Sequence, residues 1–502
     1  MNHIATFKKV LRSIAGFFVL SVFSSQCFAQ STSATADSRM AQNRRYIENI
    51  YYIFEYLQQN YVDELESEKI YHGAIKGIME STGDPYTVYL DSAAWRGISD
   101  TTEGKFGGVG LSISKAYEST PDKPAYVEVV SPIDDTPGAK AGIQAGDLII
   151  SVDGTDTSTI TMEEVLDKLR GTVGEDVSLV IRHGSVDRDV VLTRAEIEVP
   201  TVKFCTIDTP SKNEIGYIKI LQFSQPTAER VQDALNSFDY SKIKGVIIDL
   251  RNNPGGLISS VRDVADKFID SGPIVSTKSR ISYENSSYEA SEAKTTFKKG
   301  TPIVVLINKG SASASEILSG ALKDNHLAYL VGQRSYGKGS VQQVFPLSQS
   351  DGFKYTVARY YTPSDVCIDK IGIPPDREIL FPKLSEDGEK QYAELFKSEE
   401  ISKYVEKHPN MSEKDIASFA KTLKKKYKEI DIASLRKLVR NEVFRFATPA
   451  PLYDLDYDIQ LNEAIHVLEK ESFEKLIEST KTLKELQDSA MLEEKKEDAE
   501  EQ

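Results

Sequence analysis

Residues 301–325, TPIVVLINKGSASASEILSGALKDN, combine an apolar run, a group of small residues and a helical pattern. The apolar run predicts a buried strand, and SEILSGALKDN predicts a helix. A tight turn between them exposes a side chain, and the amides at the helix start point outward without partners. Three alternate serines occupy this turn: Ser311, Ser313 and Ser315. Taken alone, the run is more simply a helix cap of small residues.

A second turn of the same kind is DLRNNPGGL, residues 249–257, which follows the apolar run GVII. If the two strands are neighbours, an amide of Gly255 or Gly256 and an amide at the other helix start could together stabilise the oxyanion of an attacked carbonyl. On its own this segment is a plain Asn-Pro-Gly turn. The two turns together favour an acyl-transfer site at the strand ends of an α/β layer.

No histidine is an obvious candidate for the base that would accept the proton of a serine. His326 lies about a dozen residues along the predicted helix, roughly 18 Å from its start. The loop SYGKGSVQQ offers Lys338 between two glycines, and burial away from carboxylates could bring its pKa from about 10.4 towards neutrality. A lone lysine in such a loop is usually a surface residue. A phosphate-binding loop is disfavoured because Gly339 stands where a magnesium-binding Ser or Thr is needed.

Composition bounds the class of protein. The chain has 502 residues, 40% hydrophobic and 27% charged, which is typical of globular proteins. A net charge of −15 argues against nucleic acid as a main partner, because that binding needs clustered cations. Short strands from about residue 106 predict a β-rich module with one helix, and the chain beyond GIPPD is predicted to be helical.

The amino terminus has the pattern of a secretory signal peptide over residues 1–29. Lys8, Lys9 and Arg12 precede the uncharged run SIAGFFVLSVFSS, which is shorter than the roughly 20 residues of a spanning helix. A lipoprotein signal at Cys27 is weaker, because Gln26 stands where a small residue is expected. Two further cysteines are left, and the sequence leaves open whether they pair or stay free.

Several long motifs together resemble the carboxyl-terminal processing peptidases, the tail-specific serine proteases that contain a PDZ domain. They are GDPYTVYL, DLRNNPGG, GSASASEILSGALKDN, GKGSVQQ, TVARYYTPS and GIPPD, and the resemblance covers about residues 46–382. It implies an α+β multidomain protein with a crotonase-like (ββα) α/β protease core and an inserted PDZ domain. The expected regions after the signal peptide are helical 40–104, PDZ 105–196, protease core 197–385, and helical 386–502 with an acidic tail.

The resemblance also implies the roles of individual residues in the protease core. The nucleophile would be Ser313, the middle serine, and the base would be Lys338, twenty-five positions later. Gln342 would orient the lysine. The oxyanion hole would consist of the backbone amides of Ala314 and Gly256. In the family an acidic residue at the place of Asp324 has been discussed as an auxiliary group, and we expect a structural role for it here.

The PDZ-like module predicts a peptide-binding groove. PDZ domains bind a peptide as an added strand and hold its terminal carboxylate with backbone amides of a glycine-rich loop. In this chain that loop would be Gly108, Val109, Gly110 and Leu111, with Val109 and Leu111 facing an apolar pocket, and the partner helix would span 161–169. Arg170 follows this helix, and our hypothesis is that it couples peptide docking to the catalytic loop through Gln342 or a nearby carbonyl.

The expected function is that of a secreted, periplasmic endopeptidase acting on unfolded or C-terminally exposed proteins. No metal or organic cofactor is implied, and association with the membrane is left open. The helical termini could dock on the protease core, form a homodimer or higher oligomer, or bind an adaptor protein. Two alternatives are a PDZ scaffold on a disabled protease fold and a crotonase-type acyl enzyme. The first conflicts with an intact Ser/Lys pair, and the second lacks the pair and the PDZ insertion.

Overall fold

The computed structural model describes residues 29–116, 124–445 and 451–500, which fall into two compact units that divide after Thr82. The predicted signal peptide lies almost wholly outside the described residues. The first unit consists of helices α1 (Ala29–Asn60) and α2 (Ser67–Glu80). Within the described ranges we find no helix that is both long and apolar enough to cross a membrane.

The second unit begins with strand β1 (Val88–Leu90) and helix α3 (Ser92–Glu103), and then forms the β-rich module. In this module, β2 (Lys105–Gly108) pairs with β9 (Ala195–Glu198). A second sheet has the order β3-β4-β5-β7-β8, with β6 attached to β5. Strand β3 is therefore an edge strand. The bounds are β3 Leu111–Lys115, β4 Val127–Pro132, α4 Pro137–Lys140, β5 Leu148–Val152, β6 Thr155–Asp156, α5 Met162–Leu169, β7 Asp176–His183 and β8 Val186–Thr193.

The protease core is built on a six-stranded sheet of order β10-β11-β12-β15-β16-β19. From β11 to β19 each neighbouring pair is parallel, so the predicted α/β layer is confirmed. Consecutive residues of the central strands face opposite sides. Thus Ile218 and Ile248 pack towards α6, α7 and α8, whereas Tyr217 and Ile247 pack towards α13. The bounds are β10 Val202–Asp208, β11 Glu214–Ile220, α6 Thr227–Ser237, β12 Ile243–Asp249, α7 Ile258–Ala265, β15 Ile303–Ile307, α8 Ala314–Asp324, β16 Tyr329–Gly332, β19 Arg377–Glu378 and α13 Ile459–Lys470.

A second, five-stranded sheet carries the lysine loop. Its order is β1-β18-β13-β14, and β17 also pairs with β18. The GDPY segment leads into β1 at the edge of this sheet, so part of the region predicted to be helical, 40–104, belongs to the protease core. The bounds are β13 Ser271–Lys278, β14 Ser286–Ser291, β17 Ser340–Pro346 and β18 Gly352–Tyr361.

The carboxyl-terminal region divides into two parts. Helices α9 to α12 share a core of their own, which includes the buried side chains of Ile416, Phe419, Ala420, Leu423 and Tyr427. By contrast, α13 packs on the protease sheet, with side chains of α14 against the same cluster. The bounds are α9 Glu386–Ser398, α10 Glu400–Lys407, α11 Glu413–Lys426, α12 Ile432–Arg445, α14 Phe473–Ser479 and α15 Leu483–Glu500.

Candidate active site

The serine turn lies between β15 and α8. Ser311 Oγ donates to Leu250 O at 2.8 Å and Ser315 Oγ donates to Asn253 O at 2.9 Å, and both side chains are fully buried. These two hydroxyls therefore have structural roles. Ser313 is partly exposed and is the N-cap of α8, with a φ of 54° and a ψ of −115°. Positive φ in a non-glycine residue costs on the order of 1–3 kcal/mol and is concentrated at functional sites. The backbone thus singles out Ser313 among the three serines.

The glycine turn, residues 249–257, is hydrogen-bonded directly to the serine turn. The two turns follow β12 and β15, which are parallel neighbours. Asn252 N donates to Asn308 Oδ1 at 2.9 Å, and Asn308 Nδ2 donates back to Asn252 Oδ1 at 3.0 Å. Asn253 O accepts from Ala312 N at 3.0 Å. The neighbouring strands that the two-turn hypothesis required are therefore present.

The two glycines of this turn have different surroundings. A Cβ on Gly255 would lie 2.7 Å from Ala312 O and 2.9 Å from Ala314 N, so only glycine fits beside the helix start. Gly255 N donates to Asn253 Oδ1 at 2.9 Å. Gly256 N and Ala314 N have no acceptor among the described residues. Two amides from separate turns are therefore left available near Ser313, as an oxyanion hole requires.

Glu316 joins the serine turn to the lysine loop, and the sequence interpretation did not single it out. Its side chain is 0% exposed and accepts four hydrogen bonds. Ser313 N and Lys338 N each donate to Oε2 at 2.9 Å, while Gly337 N and Ser335 Oγ donate to Oε1 at 2.7 and 2.5 Å. Burial raises the pKa of Glu316, and these hydrogen bonds oppose that rise. The S-x-x-E spacing of a capping box was the available sequence signal.

Tyr360 makes a second connection between the same two segments. This residue of β18 is buried, and its hydroxyl donates to Ser313 O at 3.2 Å and also to Lys338 O. Burial raises its pKa well above the ordinary value, so the hydroxyl keeps its proton. The serine and lysine backbones are thus held by one carboxylate and one phenol.

Lys338 is half-buried and two carboxylates act on it, whereas the sequence interpretation expected burial away from carboxylates. Its pKa is lowered, first by burial and then by the positive charge of Lys354, while Glu316 and Asp84 oppose the change. Its Nζ lies 4.7 Å from the centroid of the Tyr86 ring. Among the hydrogen bonds of the described residues there is none between Lys338 Nζ and Ser313 Oγ. The structure therefore brings both residues into one site without a hydrogen bond between their side chains.

Gln342 lies on β17 in the same site but contacts other groups than Lys338. Its Nε2 donates to Ser340 Oγ at 2.8 Å and to Thr356 Oγ1 at 3.4 Å. Thr356 Oγ1 in turn donates to Asp84 Oδ2 at 2.5 Å. The GDPY segment therefore borders the lysine. The sequence interpretation had used this segment only as a family motif.

Two residues near the end of α8 have structural partners elsewhere. His326 Nδ1 lies 2.7 Å from Thr480 Oγ1, and Asp324 accepts from Ser364 Oγ at 2.6 Å and from Leu483 N at 2.7 Å. These contacts agree with the structural role expected of Asp324 and provide no support for a histidine triad.

The predicted peptide loop lies at the start of edge strand β3. Gly110 has a φ of 74°, and a Cβ there would lie 2.2 Å from Thr136 Cβ. Gly108 is also buried, and Leu111 is half-buried. Val109 is only 3% exposed and belongs to the module's core, so its side chain supports the loop from behind. The loop and the unpaired edge of β3 remain the predicted peptide site.

Arg170 does not contact Gln342 in this structure. It forms an ion pair with Asp100 of α3, and its guanidinium lies 4.8 Å from the centroid of the Phe106 ring. Burial raises the pKa of Asp100, and the Arg170 charge opposes that rise. The contact that the structure provides for Arg170 therefore runs to α3, the helix that precedes the PDZ module.

One cluster has donor atoms close enough for a metal. Atoms of Glu463, His466 and Glu471 lie within 4.8 Å of one another. However, Arg377 Nη1 donates to both carboxylates, at 2.6 and 2.5 Å, so an arginine already neutralises them. Cys205 and Cys367 are both free thiols here.

Three regions of the chain match models of known protein families. Residues 214–379 match the model of peptidase family S41, 128–183 match a PDZ domain model, and 10–94 match the model of the activating protease CtpB N-terminal domain. A carboxy-terminal-processing protease of Bartonella bacilliformis is 34% identical over 86% of this chain and 97% of its own length. The carboxy-terminal processing protease CtpB of Bacillus subtilis is 33% identical over 76% of this chain and 77% of its own length.

A solved structure described as the photosystem II D1 C-terminal processing protease is 31% identical, covering 66% of this chain and 92% of that one, with a TM-score of 0.39. The relatives in Bartonella bacilliformis and Bacillus subtilis, together with the peptidase family S41 model, confirm the family resemblance and the enzyme class predicted from the sequence. The chain belongs to the carboxy-terminal-processing proteases of peptidase family S41, serine-type peptidases, and it carries the PDZ domain and the α+β multidomain fold expected of them.

Proposed function

We propose that this protein is a secreted endopeptidase of the bacterial envelope that captures unstructured C-termini in its PDZ groove and cleaves upstream with a Ser313/Lys338 dyad. The observation that carries the proposal is the buried carboxylate of Glu316. This one group accepts hydrogen bonds from the amides of Ser313, Gly337 and Lys338. A fold that holds a strained serine and a half-buried lysine from two separate sheets together has the components of a nucleophile and its base.

In the proposed mechanism, neutral Lys338 accepts the Ser313 proton as Oγ attacks the substrate carbonyl. The amides of Ala314 and Gly256 stabilise the oxyanion, and the lysine returns the proton to the leaving amine. Water then attacks the acyl-enzyme: Lys338 accepts a proton from this water and passes it to Ser313 Oγ as the bond between Oγ and the acyl carbon breaks. The lowered pKa of Lys338 favours the neutral form that this sequence of steps needs.

The resting arrangement implies a local adjustment before attack. Lys338 Nζ lies over the Tyr86 ring and has to approach Ser313 Oγ to within about 3 Å. Gln342 would orient the lysine after exchanging its present partners, Ser340 and Thr356. Peptide docking on β3 would favour the active arrangement, with Arg170 and its α3 partner as the proposed connection. Self-association through the helical termini, or adaptor binding by them, is part of the same proposal.

The test is digestion of an unfolded reporter that ends either in an apolar tail or in the same tail with charged final residues. Wild type is compared with Ser313→Ala and Lys338→Ala. Matched controls are Ser319→Ala, a buried serine of the same helix, and Lys309→Ala, an exposed lysine of the serine turn. We expect both controls to cleave and both dyad variants to be inactive. Undiminished cleavage by either dyad variant would refute the dyad, and equal cleavage of both tails would refute PDZ capture.

A further inference from the structure

A buried arginine joins the glycine turn to the carboxyl-terminal region. Arg251 lies near the start of the glycine turn, residues 249–257, and its side chain is 11% exposed. Its Nε and Nη2 donate to Asp249 at 2.9 and 2.7 Å, and its Nη1 and Nη2 each donate to Asp458 at 2.7 Å. One guanidinium therefore bridges a carboxylate of β12 and a carboxylate that comes some two hundred residues later.

The network around this guanidinium is complete. Nη1 also donates to Gln460 Oε1 at 3.2 Å, so all five N–H groups of Arg251 have acceptors. Asp249 is fully buried and accepts a further hydrogen bond from Tyr217 at 2.7 Å. Gln460 is fully buried too, and its Nε2 donates to Ile379 O at 2.8 Å. Bidentate pairs with this degree of satisfaction fix the orientation of the arginine as well as its position.

Asp458 is itself held rigidly. It is the N-cap of α13, and its Oδ1 accepts from Leu461 N at 3.0 Å. Leu461 and other side chains of α13 are buried against the outer face of the protease sheet, opposite α7 and α8. This helix lies beyond residues 214–379, the part of the chain that matches the protease family model. A rigid element from outside that part thus fixes Arg251.

From Arg251 the constraint reaches the serine turn within two residues. Asn252 exchanges two hydrogen bonds with Asn308, and Asn253 O accepts from Ala312 N and from Ser315 Oγ. Asn253 Oδ1 accepts the amide of the first glycine of the turn. A displacement of Arg251 would therefore be transmitted to the backbone that presents the proposed oxyanion donors, and such displacements lower rates strongly.

We infer that Asp458 is a positioning residue, and that α13 acts in catalysis by holding the glycine turn in register with the serine turn through Arg251. This inference rests on the proposed oxyanion role of Gly256. It assigns a catalytic contribution to a helix that the sequence interpretation placed in an undifferentiated helical region. Asp458 acts only through Arg251 and does not touch the substrate.

The test uses the full chain with Asp458→Asn, which keeps an N-cap side chain but removes the charge and one acceptor. The matched control is Glu469→Gln on the same helix, where Oε1 accepts from Asn213 Nδ2 at 3.0 Å far along α13 from its N-cap. We measure kcat and KM on a fluorogenic peptide, urea unfolding, and inhibition by a peptide aldehyde, whose serine adduct carries an oxyanion. The expected result for Asp458→Asn is a kcat at least 10-fold lower, a KM within twofold, and a similar loss of aldehyde affinity.

A merely structural role predicts a different pattern, namely a lower urea midpoint in both variants with kcat and aldehyde affinity unchanged. That pattern would overturn the inference. Should Asp458→Asn not fold, Asp458→Glu and Arg251→Lys replace it. We expect the Glu variant to retain more kcat than the Lys variant, and the reverse order would overturn the inference. Cleavage that depends on Ser313 but is indifferent to Asp458 would refute only this inference, whereas cleavage that is independent of Ser313 would refute the proposed function.

Discussion

The substitution Glu316→Gln tests how the active site is held together. The carboxylate accepts one pair of hydrogen bonds at each oxygen, and an amide can accept only at one of them. In the better orientation the new NH2 group faces Ser335, whose hydroxyl can turn to accept, so that Gly337 N and the Ser335 hydroxyl proton both lose their acceptor. Each unpaired buried donor costs about 1–3 kcal/mol. Because burial raises the pKa of Glu316, removing the charge offsets part of this cost. We expect a net loss of about 2 kcal/mol in the free energy of unfolding.

The catalytic effect should be larger than the effect on stability. A shift of about 1 Å of the lysine loop relative to Ser313 is expected to lower kcat on the order of 10²-fold. KM should change little, since the peptide loop at β3 is untouched. The assay is kcat and KM on a fluorogenic peptide together with urea unfolding. The control is Glu485→Gln, which alters a similar cap on α15, where Thr482 N donates at 2.8 Å. A kcat within threefold of wild type would refute the reasoning.

Three further predictions follow from the same site. In Lys354→Gln the pKa of Lys338 should rise, so the acid limb of the kcat/KM profile should move to higher pH; an unmoved limb would contradict the stated cause. The pKa of Lys338 is lower in the folded state than in the unfolded state. The protonated lysine therefore destabilises the fold at pH values below the folded-state pKa. This loss of stability fades as the pH rises towards the unfolded-state pKa. Lys338→Met should therefore be inactive yet have a higher urea midpoint than wild type at pH 7, and a lower midpoint would argue against a desolvated lysine. Gly255 has a φ of 104°, and a Cβ there would lie 2.7 Å from Ala312 O. Gly255→Ala should therefore lower kcat at least 100-fold on peptide substrate, and near-normal turnover would show that the turn can relax.

The local sequence pattern predicted the secondary structure around the serine turn correctly. The strand, the tight turn and the helix were predicted from residues 301–325, and the structure has β15 and α8 there. The choice of Ser313 over its neighbours came from the family spacing, and the fold supplies an independent reason, since the hydroxyls of Ser311 and Ser315 are buried and bonded. The roles of Ser313, Lys338 and Gln342 stay predictions until the variants are measured.

Contacts between distant segments could not be predicted in the same way. Glu316 is visible in the sequence as the last residue of a capping box, but nothing local indicates that it also accepts the amides of Gly337 and Lys338. The partner of Arg170 was predicted as Gln342 or a nearby carbonyl, and the structure pairs it with Asp100. A long cationic side chain can reach several acceptors, and the packing of α3 against the PDZ module selects among them.

The strand-to-helix turns, the glycine-rich loops and the family could be read from the amino-acid sequence, because they depend on residue types at short spacings. The segments that meet at those turns are known only from the folded chain. Hydrogen bonds such as those of Arg251 with Asp249 and Asp458 join residues far apart in the chain. Their geometry depends on the parallel order of the sheet and on the burial of α13 against its outer face, which no local pattern of residues specifies.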